Sequence, residues 1–320
     1  TLTINPRDID IEILNSSSEY GKPFTVSNSN YAIISGNLIN NDSLGVILNG
    51  SAININQMGS YNITLEDWTN KNYNIRNSET VKGTHTVTPI SITINIDNQS
   101  SIYGEYIDLD QTKHSISGNI LSGDNLNIQL TTTATNTEAT NYPISATYAE
   151  NSNYVVTINE GIYSVTKRSI SLKTGNQTST YGEQISLNQT NYSITSGSFV
   201  FNDNQNVKLT TNATNTSSIG SYEINLTFSK INNYDVSLEK GSLTINQREL
   251  TITLSSQTIE YGNTLKLDKT SYSITNGNIV NNDNVEISLN SKTNPENSEE
   301  YIITALSSNK NYIIKLKNSN

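Results

Sequence analysis

Ser169-Ile-Ser-Leu-Lys alternates polar and apolar residues, and so does Asp8-Ile-Asp-Ile-Glu-Ile near the start of the chain. A period of two sends successive side chains to opposite faces, which predicts half-buried β-strands. Between residues 167 and 246 the pattern predicts more short strands at Ile185–Leu187, Tyr192–Thr195, Val207–Thr211, Tyr234–Leu238 and Leu243–Ile245, with Ser221–Phe228 the longest. Asn176–Gly182 reads as a turn, and Gly197–Asn204 is the best place for a single helical turn. No window carries a 3.6-residue apolar stripe long enough for a real helix. Short strands separated by turn residues predict an all-β chain, with an immunoglobulin-like sandwich as the expected unit. A β-grasp-like sheet with one short helix is the alternative.

The same unit is written four times. Tyr-Gly stands at Tyr20-Gly21, Tyr103-Gly104, Tyr181-Gly182 and Tyr261-Gly262, a period of about 80 residues. Gly36, Gly118, Gly197 and Gly277 keep step, and each is followed at one fixed interval by Asp42, Asp124, Asp203 and Asp283. Tyr61, Tyr142, Tyr222 and Tyr301 form a third series, and Asn-Tyr recurs at Tyr73, Tyr154, Tyr234 and Tyr312. Tyr31, Tyr192 and Tyr272 form a further series in which repeat two has His114 instead. A Gly and a short alternating strand close repeats one to three, as in Gly241-Ser-Leu-Thr-Ile-Asn. The expected division is 1–5 as the closing strand of a preceding repeat, then repeats at 6–88, 89–166, 167–246 and 247–320. Repeat four stops before a closing strand of its own, so both ends read as cuts inside a longer array.

Composition supports a folded chain. Only 33% of residues are hydrophobic and 15% charged, yet 18 tyrosines and many Ile, Val and Thr residues supply apolar area. Tyrosine suits so small a repeat, because its ring covers a large area while its hydroxyl reaches a rim. The net charge of −10 argues against nucleic acid as a partner. There is no apolar run near the length of a membrane span, so no membrane insertion is expected. The absence of Cys removes disulfides, thiolate chemistry and Cys-based zinc sites.

These markers resemble the MBG repeat of the Tyr-Gly-x type. The resemblance rests on the Tyr-Gly turn, the Gly-to-Asp segment, the Gly-x-Tyr-x-Ile strand (Gly59-Ser-Tyr-Asn-Ile, Gly220-Ser-Tyr-Glu-Ile), the Asn-Tyr pair and the closing Gly-x-Leu-Thr-Ile. Repeats two and four depart from it at Ala139-Thr-Asn-Tyr and Ser298-Glu-Glu-Tyr. The resemblance implies a tandem array in a large extracellular bacterial protein, including filamentous-haemagglutinin-like secreted proteins and other adhesins. It implies no catalytic residues. The expected function is therefore a non-catalytic stalk or spacer at the bacterial cell surface, contacting a host surface or glycan through the parent protein. The alternative is that the repeats themselves hold a glycan or host protein. The chain is expected to be a monomer whose only internal partners are its neighbouring repeats.

Candidate chemistry is sparse. His85 and His114 are the only histidines, and both stand where other repeats hold core or rim side chains. A general base needs partners that no repeat supplies. The Asp series is expected to cap turns. Ca²⁺ is the one ion the pattern admits, but each turn offers a single carboxylate. A Lys–Asn cross-link fails on register, because the closing strands end in Asn5 and Asn246 but in Thr88 and Thr166 elsewhere. Sequons such as Asn62-Ile-Thr and Asn225-Leu-Thr are expected from an Asn-, Ser- and Thr-rich composition. Trp68 is single and unrepeated, which makes it the one candidate ligand contact, and a core or rim position is its plainer reading.

Overall fold

The computed structural model describes residues 1–50, 57–255, 257–291 and 302–317. The chain is all-β. Its only helices among the described residues are two 3₁₀ turns, Asp203–Asn206 and Ile231–Asn233. That excludes the β-grasp alternative, which needs a helix on the sheet. Two compact units are present. The first comprises Thr1–Ser101, Glu105–Asn136 and Thr140–Val165; the second comprises Ile102–Gly104, Thr137–Ala139 and Thr166–Asn320. Among the described residues, no helix is long and apolar enough to cross a membrane.

In the first unit, repeat one forms seven strands: β1 (Arg7–Ile13), β2 (Ser16–Glu19), β3 (Tyr31–Ser35), β4 (Val46–Gly50), β5 (Gly59–Trp68), β6 (Tyr73–Ile75) and β7 (Lys82–Thr88). One sheet has the order β3-β1-β6 and the other β2-β7-β5-β4. The predicted alternation decides which side chains meet between them. Ile9, Ile11 and Ile13 from β1 and Tyr73 and Ile75 from β6 pack on Val46, Leu48 and Ile63 of the facing sheet. The result is a two-layer β-sandwich. Repeat two builds the same pair of sheets: Ile90–Ile96 lies between His114–Ser117 and Tyr154–Asn159, and four strands face it. Its core includes Tyr20 and Val87 from repeat one, so the apolar interior of the unit runs on from one repeat to the next.

The second unit follows the same plan. Arg168–Thr174 pairs antiparallel with Tyr192–Ser196 and parallel with Tyr234–Glu239, and Arg248–Leu254 does likewise with Tyr272–Asn276 and Tyr312–Lys317. The closing strand Ser242–Asn246 lies between Gln177–Thr180, which runs parallel to it, and Gly220–Glu223.

Three local expectations are corrected. Residues 176–182 are not only a turn, because Gln177–Thr180 is a strand paired with the closing strand. Its Ser and Thr residues hide it from an apolar pattern; main-chain pairing makes it a strand. Ile185–Leu187 alternates but joins no ladder. The amide of Gln177 instead ties the following residue, accepting from Asn188 N–H and donating to its carbonyl. Ser221–Phe228 is two strands, Gly220–Glu223 and Asn225–Thr227, broken where Ile224 N–H turns to the carbonyl of Gly241. Tyr301 and the Ser298–Tyr301 segment lie outside the described residues.

His85 sits in β7 with 2% of its surface exposed. Its ring stacks on Phe24 at 3.5 Å, and the hydroxyls of Ser16 and Ser18 lie 2.9 and 3.0 Å from its two ring nitrogens. A neutral imidazole donates from one nitrogen and accepts at the other, which the two hydroxyls complement. Burial pushes its pKa below the ordinary histidine value. The unfolded chain takes up a proton near pH 6.5 that the folded repeat resists. Stability from this site is therefore complete above that pH and lost as pH falls through the folded value. Urea unfolding followed by Trp68 fluorescence, which reports repeat one, is expected to show a lower midpoint at pH 5 than at pH 7.5. His85→Leu, matching Leu243 at the equivalent position, is expected to flatten that dependence.

Candidate functional site at the repeat junctions

The repeated Asp and two of the repeated Tyr series converge at three repeat junctions. Asp124 Oδ2 accepts the hydroxyl of Tyr154 from its own repeat at 2.6 Å and that of Tyr20 from repeat one at 3.2 Å. Asp203 Oδ2 accepts Tyr234 at 2.8 Å and Tyr103 at 3.0 Å. Asp283 Oδ2 accepts Tyr312 at 2.8 Å and Tyr181 at 2.9 Å. Asp42 shows the half that belongs to its own repeat, accepting Tyr73 at 2.9 Å. The carboxylate thus bridges neighbours through hydroxyl donors and does not cap its own turn as expected. A cap serves adjacent N–H groups; here the turn aims the side chain away from them.

Local geometry holds each member in place. Left-handed residues precede the Asp, as at Asn281 and Asn282 with φ of 56° and 54°. Asn tolerates that region because its short polar side chain costs little there. The turn presents a backbone N–H to the Asn-Tyr hydroxyl, Val200 to Tyr234 and Val280 to Tyr312, each at 3.0 Å. Each such hydroxyl therefore accepts from the turn and donates to the carboxylate. The Tyr-Gly tyrosine is fixed by its own main chain: the N–H of Tyr181 donates to the closing-strand carbonyl of Asn246 at 2.9 Å. Arg248, which opens repeat four, donates to the Tyr181 carbonyl at 3.0 Å. The two rings meet edge to face, 5.8 Å apart for Tyr20 and Tyr154, 5.4 Å for Tyr103 and Tyr234, and 5.6 Å for Tyr181 and Tyr312. That geometry sets a positive ring edge on a negative face.

The Gly of Tyr-Gly has two reasons to be glycine. Gly182 has a φ of 80°, and a β-carbon there would overlap the side chain of Val280 in the next repeat. Gly21 and Gly104 meet Leu121 and Val200 in the same way. The Asn of Asn-Tyr adds a second tie: Asn153 Oδ1 accepts Met58 N–H at 2.8 Å, Asn233 accepts Ala139 at 3.0 Å and Asn311 accepts Ile219 at 3.0 Å. Lys230 and Glu138 add an ion pair to the same set of contacts in the second unit.

The other candidates fall elsewhere. Trp68 packs on the core of repeat one and donates its indole N–H to the Tyr73 carbonyl at 2.9 Å, with Lys71 Nζ 4.2 Å from the ring centre. His114 is half-buried beside the carbonyl of Gln111. The Tyr61 and Tyr222 hydroxyls reach back to the carbonyls of Gln57 and Ser218, each at 2.8 Å. Among the described residues, no three or more His, Cys, Asp or Glu side chains gather as a metal site. The Tyr–Asp pairing across repeats was present in the sequence as two series with one period. Nothing in their spacing said that they meet.

The junctions define a tandem all-β array in which each repeat completes its neighbour's polar site. Residues 92–164 and 170–244 match the MBG domain (YGX type) family, twice in tandem. No curated protein matches the chain. Among solved structures it is aligned with the crystal structure of the protocadherin GammaB4 extracellular domain at 11% identity and a TM-score of 0.17. That alignment covers 93% of this chain and 54% of the other, and a score so low carries no argument.

Hydrogen bonds to a charged partner contribute about 1.5–3 kcal/mol each. Tyr103→Phe is therefore expected to cost about 2 kcal/mol and Asp203→Ala, which strands two buried hydroxyls, about 4 kcal/mol. The double variant should cost little more than Asp203→Ala alone, measured by urea unfolding of all three variants. Alkali gives a second test. Burial first, and the Asp283 carboxylate after it, push Tyr312 up to about 12 against the opposing N–H of Val280. The folded state keeps its proton where the unfolded chain ionises near pH 10. Stability should be level below pH 10 and fall as pH rises toward 12, read by unfolding midpoints with tyrosinate absorbance followed in parallel.

Proposed function

We propose that this chain is a non-catalytic stalk segment of a bacterial surface or secreted adhesin, whose repeats hold a binding region away from the cell. The observation that carries the reading is the Tyr–Asp–Tyr clasp, formed three times with the same partners. The connections support it. Only Pro89 separates β7 from Ile90–Ile96, and only Gln247 separates Ser242–Asn246 from Arg248–Leu254. A one-residue connection cannot act as a flexible linker. The carriage of such domains by extracellular adhesins supports the location outside the cell.

The stalk reading requires the repeats to lie end to end as a stiff rod. The longest strand, Gly59–Trp68, has ten residues and spans roughly 33 Å, so four repeats of that length reach about 130 Å. Small-angle scattering of the whole chain, extrapolated to infinite dilution, is expected to give a radius of gyration near 38 Å, against about 20 Å for a compact protein of this length. A value close to the compact one would overturn the stalk reading.

A further inference from the structure

We propose that the edge strand Tyr154–Asn159 of repeat two pairs with the same strand of a second copy of this chain, across a two-fold axis at Thr157. The sheet has the order His114–Ser117, Ile90–Ile96, Tyr154–Asn159, and among the described residues no strand pairs with the far side of Tyr154–Asn159. An open edge is a template for another chain, and proteins protect such edges with charge or by keeping them short. Repeats one, three and four follow that rule at this position. The equivalent strand of repeat three is Tyr-Asp-Val-Ser-Leu-Glu, with Asp235 and Glu239. That of repeat four is Tyr-Ile-Ile-Lys-Leu-Lys, with Lys315 and Lys317. Repeat one has only Tyr73–Ile75 there, followed by Arg76 in an ion pair with Asp10. Tyr154-Val-Val-Thr-Ile-Asn has six residues and no charge. No strand of repeat two contains Asp, Glu, Lys or Arg. Its other edge strands have four residues each, which leaves Tyr154–Asn159 as the long unprotected edge.

A second copy fits this edge because the strand is its own complement. The carbonyl of Asn153 accepts from Ile90 N–H, whereas Tyr154 N–H turns the other way, to the carbonyl of Asn151. The alternation of a strand then points the N–H and C=O groups of Val156 and Ile158 out of the open edge. Antiparallel pairing about Thr157 sets Val156 opposite Ile158 of the second copy. The two-fold axis repeats that pair, and both pairs exchange main-chain hydrogen bonds. Thr157 faces Thr157 in a non-hydrogen-bonded pair, with Cα atoms about 4.5 Å apart, where a Thr–Thr contact is favourable. Val155, which is 53% exposed, comes to lie beside Asn159. The half-buried Val156 and Ile158 cover one another. The same pairing fails on charge in the other two long strands. In repeat three it sets Asp235 opposite Glu239, and in repeat four it sets Lys315 opposite Lys315. In a chain of net charge −10, a charge-free strip is where two copies meet without repulsion. The contact is isologous, so it closes as a dimer. The dimer takes the place of the monomer expected from the sequence. It stands or falls apart from the stalk reading, which concerns a single copy.

Sedimentation velocity of the 320-residue chain from about 1 µM to about 1 mM tests it. The expected result is a monomer–dimer equilibrium with no larger species. Thr157→Lys installs the residue that repeat four carries at this position, Lys315, so the strand should still form. It should weaken dimerisation by about tenfold or more with an unchanged circular dichroism spectrum, because it sets like charges opposite one another. Thr157→Glu should do the same. An equimolar mixture of the two variants should recover the dimer, because the two-fold axis then sets Lys against Glu. Ser237→Lys places the same charge on the equivalent strand of repeat three and should leave dimerisation unchanged. A chain that stays monomeric throughout, dimers that persist in Thr157→Lys, an equal loss in Ser237→Lys, or a mixture that stays monomeric would overturn the proposal.

Discussion

An acidic side chain with two phenols donating to the same oxygen organises this protein. A buried carboxylate must have hydrogen-bond donors or it destabilises the fold. In each clasp one donor comes from the same repeat and the other from the preceding one. The repeat alone leaves its carboxylate half satisfied, as Asp42 and Tyr73 illustrate. Asp203 is 7% exposed where both donors are present. Folding of a repeat and docking to its neighbour are thus coupled through one shared polar group, as nearest-neighbour terms are in other repeat arrays.

The rest of the junction follows from bringing those three side chains together. The preceding tyrosine must leave the strand beside the closing strand at a fixed place, which its N–H bond to Thr88, Thr166 or Asn246 ensures. The chain must then turn against an apolar side chain of the next repeat, which leaves no room for a β-carbon on the Gly. The Asp must project from a tight left-handed turn. Phe201 takes the left-handed position that Asn40 and Asn281 hold elsewhere, at a φ of 51°. Its ring packs edge to face on Tyr103 at 5.6 Å, so the second unit gains an aromatic contact at a strained position. Tyrosine serves these sites because it brings ring area to a small core and a hydroxyl donor to the carboxylate.

Alternation and period together determined a great deal. Ile9, Ile11 and Ile13 were readable as an inward face, and their burial follows directly from the twofold geometry of a strand. The Tyr-Gly, Gly-to-Asp and Asn-Tyr series set the period, and residues 92–164 and 170–244 match the MBG family that these markers resemble. Equivalence also located His85 in a core position, because its counterparts Tyr163 and Leu243 occupy the same strand position. Only tertiary structure could show that Gln177–Thr180 is a strand, because its pairing lies in the main chain and its side chains are polar. Only tertiary structure could also join Tyr181 to Asp283, residues a whole repeat apart. A periodic sequence records that two positions recur. It does not record whether they meet within one repeat or across two, because that depends on where the connecting strand delivers the next domain.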